Sequence, residues 1–371
     1  MPKNSSKLSK GSLSNVGTLN KVKNILLKIK FFINNKANLR KFFKIKLVII
    51  LIFLLIFYVF KIAKHYPKEI ILEAKPDHFG ITFSSKYSAE LGLDYQKVYQ
   101  AILSELKVKN IRIPIYWDDI EKEKGIFDFS VYDYLIEEGE KYGANFIISF
   151  GRRVPRWPEC HSPAWLGAMD DNELELVTLR LTKTIVERYR DRDSIEYWQV
   201  ENEPFLGTFG VCPPLNEELL IKQFDLVRSL DSREIIITSS GELKFWNQEA
   251  AIGDIFGSTL YRVVHNHWFG FIRYPLSPIF YRLKAKLAGL GPERLMVVEL
   301  QAEPWVPEGK IIYLTQKDID KSMSIEQFKA NLQYAINLNF SRTYAWGVEW
   351  WYWQKLYGNP EYWQIASTVF K

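Results

Sequence analysis

Short apolar runs alternate with amphipathic stretches along most of the chain, from about residue 73 to its end. Such runs, bounded by polar residues, are typical of buried strands, and a 3.6-residue apolar period is typical of helices. Strands are predicted at Phe79–Phe83, Asn110–Ile115, Asn145–Phe150, Ile195–Val200, Glu234–Thr238, Tyr261–His265, Leu295–Glu299 and Thr343–Trp346. Helices are predicted between them, as at Tyr95–Leu106 after an Asp94 cap and at Ile325–Leu338 after a Ser324 cap.

These eight alternations predict the fold class. Residues 73–371 have no internal Gly/Ser-rich linker and no repeat, so we expect one α/β domain there. Eight strand–helix units favour a closed (β/α)8 TIM barrel over an open sheet. In such a barrel the active site lies at the C-terminal ends of the strands, so polar residues that directly follow a predicted strand are the candidates for chemistry.

The N-terminal part of the chain has a different pattern. Residues 1–46 carry basic side chains and no acidic one, and an unbroken apolar run, Leu47–Phe60, follows. This pattern predicts a basic, disordered cytoplasmic tail over 1–46 and a single transmembrane signal anchor over 47–63. The positive-inside rule then places the barrel outside the cytoplasm. A buried core helix is the alternative for the apolar run.

The basic tail also accounts for the sign of the net charge. The chain has 49 basic and 43 acidic residues, which gives a formal net charge of +6. Twelve of the basic residues lie in the tail, so residues 47–371 hold the remaining 37 together with all 43 acidic ones, a net charge of −6. The folded part therefore has no electrostatic basis for binding nucleic acid.

Two glutamates end predicted strands and suggest glycoside hydrolysis. Glu203 follows the fourth strand within Asn202-Glu203-Pro204, and Glu299 ends the seventh. That reaction uses two carboxyl groups, one to protonate the leaving oxygen and one to attack the sugar or activate water. Burial and mutual repulsion raise the pKa of one member of such a pair. Glu303 is the competing carboxylate, although it lies beyond the apolar run and is expected in a loop.

Residues of about 78–366 resemble the clan A glycoside hydrolases, the group that contains family five cellulases and related β-glycanases. The resemblance rests on Asn202-Glu203-Pro204 and Glu299 in their strand order, on Arg112 in the second strand, and on Trp346 in the eighth. It implies a retaining reaction in which Glu203 is the acid/base and Glu299 the nucleophile, with their carboxyl groups about 5 to 5.5 Å apart. It also implies that Arg112 supports the nucleophile, while Asn202 is suited to bind the sugar hydroxyl beside the reacting carbon.

Two histidines end the predicted sixth strand, in His265-Asn266-His267. A His-x-His pair is also found in zinc hydrolases, but such a site needs further ligands that the sequence does not supply nearby. We predict that both histidines contact substrate or a carboxylate, with plain packing as the alternative. We also predict that no metal or cofactor is bound. The clan has a His and then a Tyr two residues later at this strand, so His267 departs from its pattern.

Aromatic and cysteine residues complete the candidate site. Trp157 and Trp346 follow or end strands, and their flat rings suit the apolar faces of sugars, with loop packing as the alternative. The third-strand end lacks the His that many family five members carry, which leaves the particular family open. Cys160 and Cys212 lie in loops after strands three and four, where either a disulfide or two buried thiols would fit.

Together these features predict a membrane-anchored glycoside hydrolase that cleaves an oligo- or polysaccharide. Two alternatives keep the same barrel: a carbohydrate-binding protein without catalysis, and a transglycosidase that uses the same two carboxylates. A metal-dependent barrel hydrolase is a third, and loss of activity with a chelator would identify it.

Overall fold

The structure is a computed structural model that describes residues 23–25, 27, 28, 30, 36–63, 70–213 and 216–370. The chain forms two compact units, one within residues 1–64 and one within residues 65–371. The predicted tail lies largely outside the described residues. From Lys36 onward it is helical rather than disordered, because residues 36–46 contain helix-forming Lys, Leu, Arg and Ala without Pro or Gly.

The first unit contains helix α1, Lys36–Ala63. Its described side chains, from residue 40 to residue 57, are exposed. Within the part of the chain that the structure describes, we find no helix with the length and apolar character needed to cross a membrane. The transmembrane anchor predicted over residues 47–63 is therefore not supported.

The second unit is built on a closed barrel of eight parallel strands. Its strands are β1 Phe79–Thr82, β2 Asn110–Pro114, β3 Asn145–Phe150, β4 Ile195–Val200, β5 Ile235–Ser239, β6 Ile255–Leu260, β9 Leu295–Gln301 and β10 Arg342–Trp346. Strand β1 pairs with both β2 and β10 and so closes the ring. The predicted barrel is confirmed. An antiparallel hairpin of β7, Val263–Asn266, and β8, Gly270–Arg273, lies outside it.

The sixth barrel strand differs from the prediction. It is Ile255–Leu260, whereas the sequence predicted Tyr261–His265, most of which belongs to the hairpin. Gly257 and the hydroxyl residues after it interrupt the apolar run and hide the strand. The glycine is needed, since a Cβ there would lie 2.7 Å from Val298 Cγ1 on β9.

Helices surround the barrel. They are α2 Ser85–Glu90, α3 Tyr95–Ala101, α4 Trp117–Ile120, α5 Ser130–Lys141, α6 Asp171–Tyr189, α7 Glu217–Leu230, α8 Asn247–Ala250, α9 Pro278–Leu287, α10 Gln316–Met323, α11 Ile325–Leu338, α12 Val348–Leu356 and α13 Glu361–Ala366. A π-helical turn, Ile102–Leu106, continues α3, and 3₁₀ turns occur at Ala164–Ala168, Pro292–Arg294 and Ile311–Tyr313. The predicted cap of α11 is present, because the Ser324 side chain accepts a hydrogen bond from Gln327 N.

Apolar side chains fill the space between the strands and the helices, and a smaller cluster draws on the strands alone. The smaller cluster joins residues of β3, β5, β6, β9 and β10, namely Ile147, Ile236, Ile255, Met296, Val298 and Tyr344. Contact among side chains of strands on different sides of a barrel is expected where they point inward. This packing makes the strand ends rigid supports for the polar residues that follow them.

Candidate active site

Carboxyl groups from three strand ends meet in one cleft. A cavity of about 340 Å³ is lined by Glu159, Glu203 and Glu299. Glu159 lies in the loop after β3, Glu203 follows β4, and Glu299 lies near the C-terminal end of β9. A neighbouring cavity of about 580 Å³ shares Glu159 and Tyr261 with the first. All three glutamates are at most 6% exposed. The cleft therefore lies at the C-terminal end of the barrel, where the sequence predicted it.

Both oxygens of Glu299 accept hydrogen bonds, one from a buried arginine and one from a half-buried tyrosine. Arg112 Nη1 donates to Oε1 at 3.1 Å, and the hydroxyl of Tyr261 donates to Oε2 at 3.2 Å. Arg112 comes from β2 and is fully buried, so its positive charge acts on Glu299 with little screening by water. These two contacts fix the orientation of the carboxylate and supply a counter-charge.

Arg112 also ties the fourth strand to the seventh. Its Nε donates to Gln199 Oε1 at 2.8 Å, and its Nη2 donates to Asn202 Oδ1 at 2.9 Å. A further bond from Nη1 reaches the carbonyl of Val298 at 3.1 Å. One guanidinium thus positions both Glu299 and the residue that precedes Glu203. A lysine could not replace it, because its ammonium group has fewer donors and no fixed planar geometry.

Glu203 lies in different surroundings. Its backbone N–H donates to Thr238 Oγ1 at 2.7 Å, and Thr259 Oγ1 approaches its Oε1 at 3.5 Å. Burial raises the pKa of Glu203 well above its ordinary value, and the negative charge of Glu299 raises it further. Its backbone is left-handed, with φ of 42°, a conformation that is uncommon for residues other than glycine.

Asn202 is held on both ends of its amide. Its Oδ1 accepts from Arg112 and Thr238, and its Nδ2 donates to Glu159 Oε2 at 3.2 Å. The second hydrogen of Nδ2 is free to donate a hydrogen bond to a ligand, such as a sugar hydroxyl. Asn202 is therefore fixed in place beside Glu203.

Glu159 is a third carboxyl group of the cleft that the sequence analysis missed. It belongs to the loop between β3 and α6, and its side chain is 6% exposed. Burial raises its pKa to about 8, with the charge of Glu299 as the next cause. The nearest positive charge, Arg153 Nε, lies 3.9 Å from its Oε2. The only local signal was its position directly before Cys160.

Thr259 and Tyr261 occupy the positions that the resemblance assigned to His265 and His267. Both follow or belong to the true β6, two residues apart, and they contact Glu203 and Glu299 respectively. The predicted placement of the histidines at the sixth strand was wrong because the hairpin strand was mistaken for the barrel strand.

The two histidines lie in the hairpin instead. His265 lines the smaller cavity and packs edge-on against Phe271, with ring centroids 5.1 Å apart. His267 is exposed in the turn beside Trp268 and lines neither cavity. Among the residues that the structure describes, no group of three or more His, Cys, Asp or Glu side chains is arranged to hold a metal ion.

The two predicted tryptophans differ in exposure. Trp157 is 61% exposed, whereas Trp346 is 7% exposed, and both line the larger cavity. The guanidinium of Arg156 lies 4.0 Å from the ring centroid of Trp346 and pairs with Glu303 at 2.6 Å. One face of Trp346 is thereby covered. Glu303 belongs to this ion cluster, which Glu349 joins at 3.5 Å from Arg156.

Two connections fix the loops after β3 and β4. Cys160 and Cys212 form a disulfide with Cα atoms 5.3 Å apart. The buried carboxylate of Glu201 accepts hydrogen bonds from Arg152 N at 3.0 Å and Arg153 N at 2.6 Å. Gly151 allows this, because a Cβ there would lie 2.5 Å from Glu201 Cδ.

Solved structures share this fold at low sequence identity. A GH5_18 protein from Streptomyces cattleya matches with a TM-score of 0.52 and 12% identity, over 74% of this chain and 71% of that one. Xylanase 10B from Thermotoga maritima matches at 0.50 and 15%, over 74% and 83%. The AHE enzyme from Alicyclobacillus herbarius matches at 0.50 and 16%, over 75% and 90%.

No protein-family model matches the chain, and no curated protein matches it. At the identities of the structural matches the likeness shows a shared architecture. The chain has the eight-stranded parallel barrel of these proteins, which include glycoside hydrolases, as its resemblance to clan A implied.

Proposed function

We propose that this chain is a retaining glycoside hydrolase acting on an oligo- or polysaccharide, with Glu203 as acid/base and Glu299 as nucleophile. The observation that carries the proposal is the unlike environment of two carboxyl groups in one cavity. Glu299 is paired with Arg112, whereas burial and the negative charge of Glu299 favour the protonated form of Glu203. Such a difference is what assigns acid and nucleophile in a carboxyl pair.

The reaction follows from these two states. Glu299 attacks the anomeric carbon while Glu203 gives its proton to the leaving oxygen, which yields a glycosyl ester on Glu299 and a free alcohol. Glu203, now a carboxylate, takes a proton from a water molecule that attacks the same carbon. The ester bond breaks, and the sugar leaves with the water oxygen on its original face. Tyr261 and Arg112 keep Glu299 oriented for attack through both of its oxygens.

Three further features support the proposal. The carboxyl groups lie near the C-terminal ends of barrel strands four and seven, the order found in the clan that the sequence resembles. The barrel is shared with solved glycoside hydrolases. The cleft walls carry aromatic side chains, among them Phe209 and Trp305, that suit sugar rings.

The test uses aryl glycosides of several sugars and the barrel variants Glu203→Gln and Glu299→Gln. Both should lose at least about a thousandfold in kcat with their thermal stability retained. Glu138→Gln is the matched control, since Glu138 is a similarly buried carboxylate on α5 that pairs with Lys141. A 2-deoxy-2-fluoro glycoside should label Glu299 covalently. A label on another residue, or turnover by Glu299→Gln, would refute the assignment.

Product analysis separates the alternatives. Proton NMR of the first product gives its anomeric form, and retention agrees with carboxyl groups about 5 to 5.5 Å apart. Transfer of the sugar to an added sugar acceptor would identify a transglycosidase. Saturable binding without turnover on any substrate would identify a carbohydrate-binding barrel.

We also propose that the barrel works outside the cytoplasm. The disulfide Cys160–Cys212 supports this location, because such bonds persist mainly in oxidising compartments. Thiol labelling of protein taken directly from cells should find both cysteines blocked, and two free thiols would argue for a reducing compartment.

A further inference from the structure

Glu159 lies in the cleft, yet the reaction above gives it no part. We propose that Glu159 binds the glycone directly, through a hydrogen bond between its Oε1 and a sugar hydroxyl other than the one beside the reacting carbon. Glu159 would then select which sugars the enzyme accepts. This inference rests on the proposed function, because it names a specificity residue of the same site.

The position of Glu159 is the first argument. It lines both the 340 Å³ cavity, which holds Glu203 and Glu299, and the neighbouring 580 Å³ cavity. Its Oε2 accepts a hydrogen bond from Asn202 Nδ2 at 3.2 Å. No hydrogen bond joins Oε1 to any residue within the described ranges. One oxygen is thus anchored in the protein, and the other is left for a group in the cleft.

A comparison with Glu201 shows what a structural carboxylate looks like in this protein. Glu201 comes from the neighbouring strand end, and both of its oxygens accept hydrogen bonds, from Arg152 N, Arg153 N and Gln223 Nε2. Buried carboxyl oxygens are normally satisfied in this way, because an unpaired one costs free energy. Glu249 and Glu303 also leave one carboxyl oxygen without a partner. It is therefore the position of Glu159 in the cleft, beside Glu203 and Glu299, that makes its free oxygen available to a ligand.

The backbone around Glu159 is built to hold it still. Its own φ is +74°, and its N–H and C=O bond to Arg156 O at 2.6 Å and Val154 N at 2.9 Å. The next residue, Cys160, is fixed by the disulfide. On the other side, a Cβ at Gly210 would lie 2.8 Å from Glu159 Cβ. A rigid loop of this kind suits a residue that must meet a ligand atom at a set position.

The electrostatics decide which hydrogen-bond role Glu159 plays. Burial and the charge of Glu299 raise its pKa to about 8, so the group carries a proton at neutral pH. Because Oε2 accepts the bond from Asn202, the proton lies on Oε1. The side facing the cleft is then a donor to a hydroxyl oxygen, and it adds no negative charge near the nucleophile.

The experiment measures coupling between Glu159 and single hydroxyls of the substrate. Wild type, Glu159→Ala and Glu159→Gln are assayed with the preferred aryl glycoside and its monodeoxy analogues. Glu159→Ala should lower kcat/KM for the parent about tenfold, mainly through KM. With one deoxy analogue, the wild type and Glu159→Ala should differ by less than about twofold, because both lack the same hydrogen bond. Glu159→Gln, which keeps a donor, should recover part of the loss.

Three results would overturn the inference. Equal effects of Glu159→Ala on every analogue would mean that no hydroxyl contacts Glu159. Coupling confined to the 2-deoxy analogue, and shared by Asn202→Ala, would mean that Glu159 acts through Asn202. An unchanged kcat/KM of Glu159→Ala for the parent glycoside would mean that Glu159 has no role in binding.

The controls separate these outcomes from misfolding. Glu138→Gln should match wild type with every analogue, and the melting temperatures of all variants report folding. If wild type hydrolyses no glycoside, the proposed function is wrong, and the same coupling is then measured from dissociation constants.

Discussion

The hydroxyl of Tyr261 donates a hydrogen bond to Glu299 Oε2 across 3.2 Å, opposite the bond from Arg112 to Oε1. The tyrosine directly follows β6, and Glu299 belongs to β9, the strand that pairs with β6. The parallel pairing of these strands brings the two side chains to the same end of the barrel. The orientation of Glu299 is thus set from two sides.

Replacing this hydroxyl should affect catalysis more than folding. We expect Tyr261→Phe to lower kcat about tenfold or more, because Glu299 loses one of the two bonds that orient it. The free energy of unfolding should change by less than about 2 kcal/mol. Tyr189→Phe is the control, since its hydroxyl donates to Asp133 between α6 and α5. Steady-state kinetics and urea unfolding measure the two quantities, and equal kcat values for the two variants would contradict the role.

Loss of Arg112 should destabilise the protein strongly. Arg112→Met leaves Glu299 buried without its counter-charge and removes donors from Gln199 and Asn202. We expect the free energy of unfolding to fall by about 3 to 5 kcal/mol. Arg188→Met, which breaks a partly exposed pair with Asp133, should cost at most about 1 kcal/mol. Urea unfolding midpoints compare the two variants, and similar shifts would show that Arg112 is not buried as described.

The pKa of Glu203 predicts how stability depends on pH. An unfolded Glu loses its proton near pH 4.5, whereas the folded protein holds that of Glu203 to higher pH. As pH rises above 4.5, the free energy of unfolding therefore falls, until the pH passes the pKa of Glu203 in the folded state. Glu203→Gln removes this effect.

We therefore expect Glu203→Gln to be more stable than wild type at pH 7, by at least about 1 kcal/mol. The difference should shrink toward zero as pH falls to about 4.5. Thermal melts across this pH range test the trend, with Glu138→Gln as the matched substitution. A stability gap that is constant with pH would mean that Glu203 is not protonated in the folded state.

The disulfide should contribute to both stability and substrate binding. The disulfide links residues 52 positions apart and so restricts the unfolded chain. Without it the unfolded chain gains conformational entropy, which lowers the free energy of unfolding by up to about 4 kcal/mol. We expect the double variant Cys160→Ala/Cys212→Ala to lose stability on that scale and to show a raised KM, since Glu159 precedes Cys160. Reduced wild-type protein should show the same loss of stability and the same rise in KM. An unchanged KM in both proteins would show that the disulfide does not hold Glu159 in position.

The strand pattern was sufficient to predict most of the barrel. Strands rich in large apolar residues, such as Asn145–Phe150 and Ile195–Val200, were predicted with their observed bounds. The sixth was missed because Gly257 and Thr259 serve close packing and a hydrogen bond, and so weaken its apolar pattern. The hairpin strand nearby has the stronger pattern but pairs only with its own partner.

The same cause limited the prediction of the site. Glu203, Glu299 and Arg112 follow or lie in strands that the pattern identified, and the structure brings them together. Tyr261 was misplaced with its strand. Glu159 reaches the cleft from a loop whose path depends on a left-handed backbone and on a disulfide, and neither is visible in a hydrophobic pattern.

The β7–β8 hairpin has a consequence for how this protein can diversify. Its strands bond to each other, and its base is held by Gln301, which accepts from Arg262 N and Val263 N. It also lines the cavity through His265 and neighbouring residues. Because the hairpin contributes no strand to the barrel, we expect it to tolerate changes in length and sequence without loss of the barrel. We expect such changes to alter which ligands fit in the cleft while Glu159, Glu203 and Glu299 stay in place.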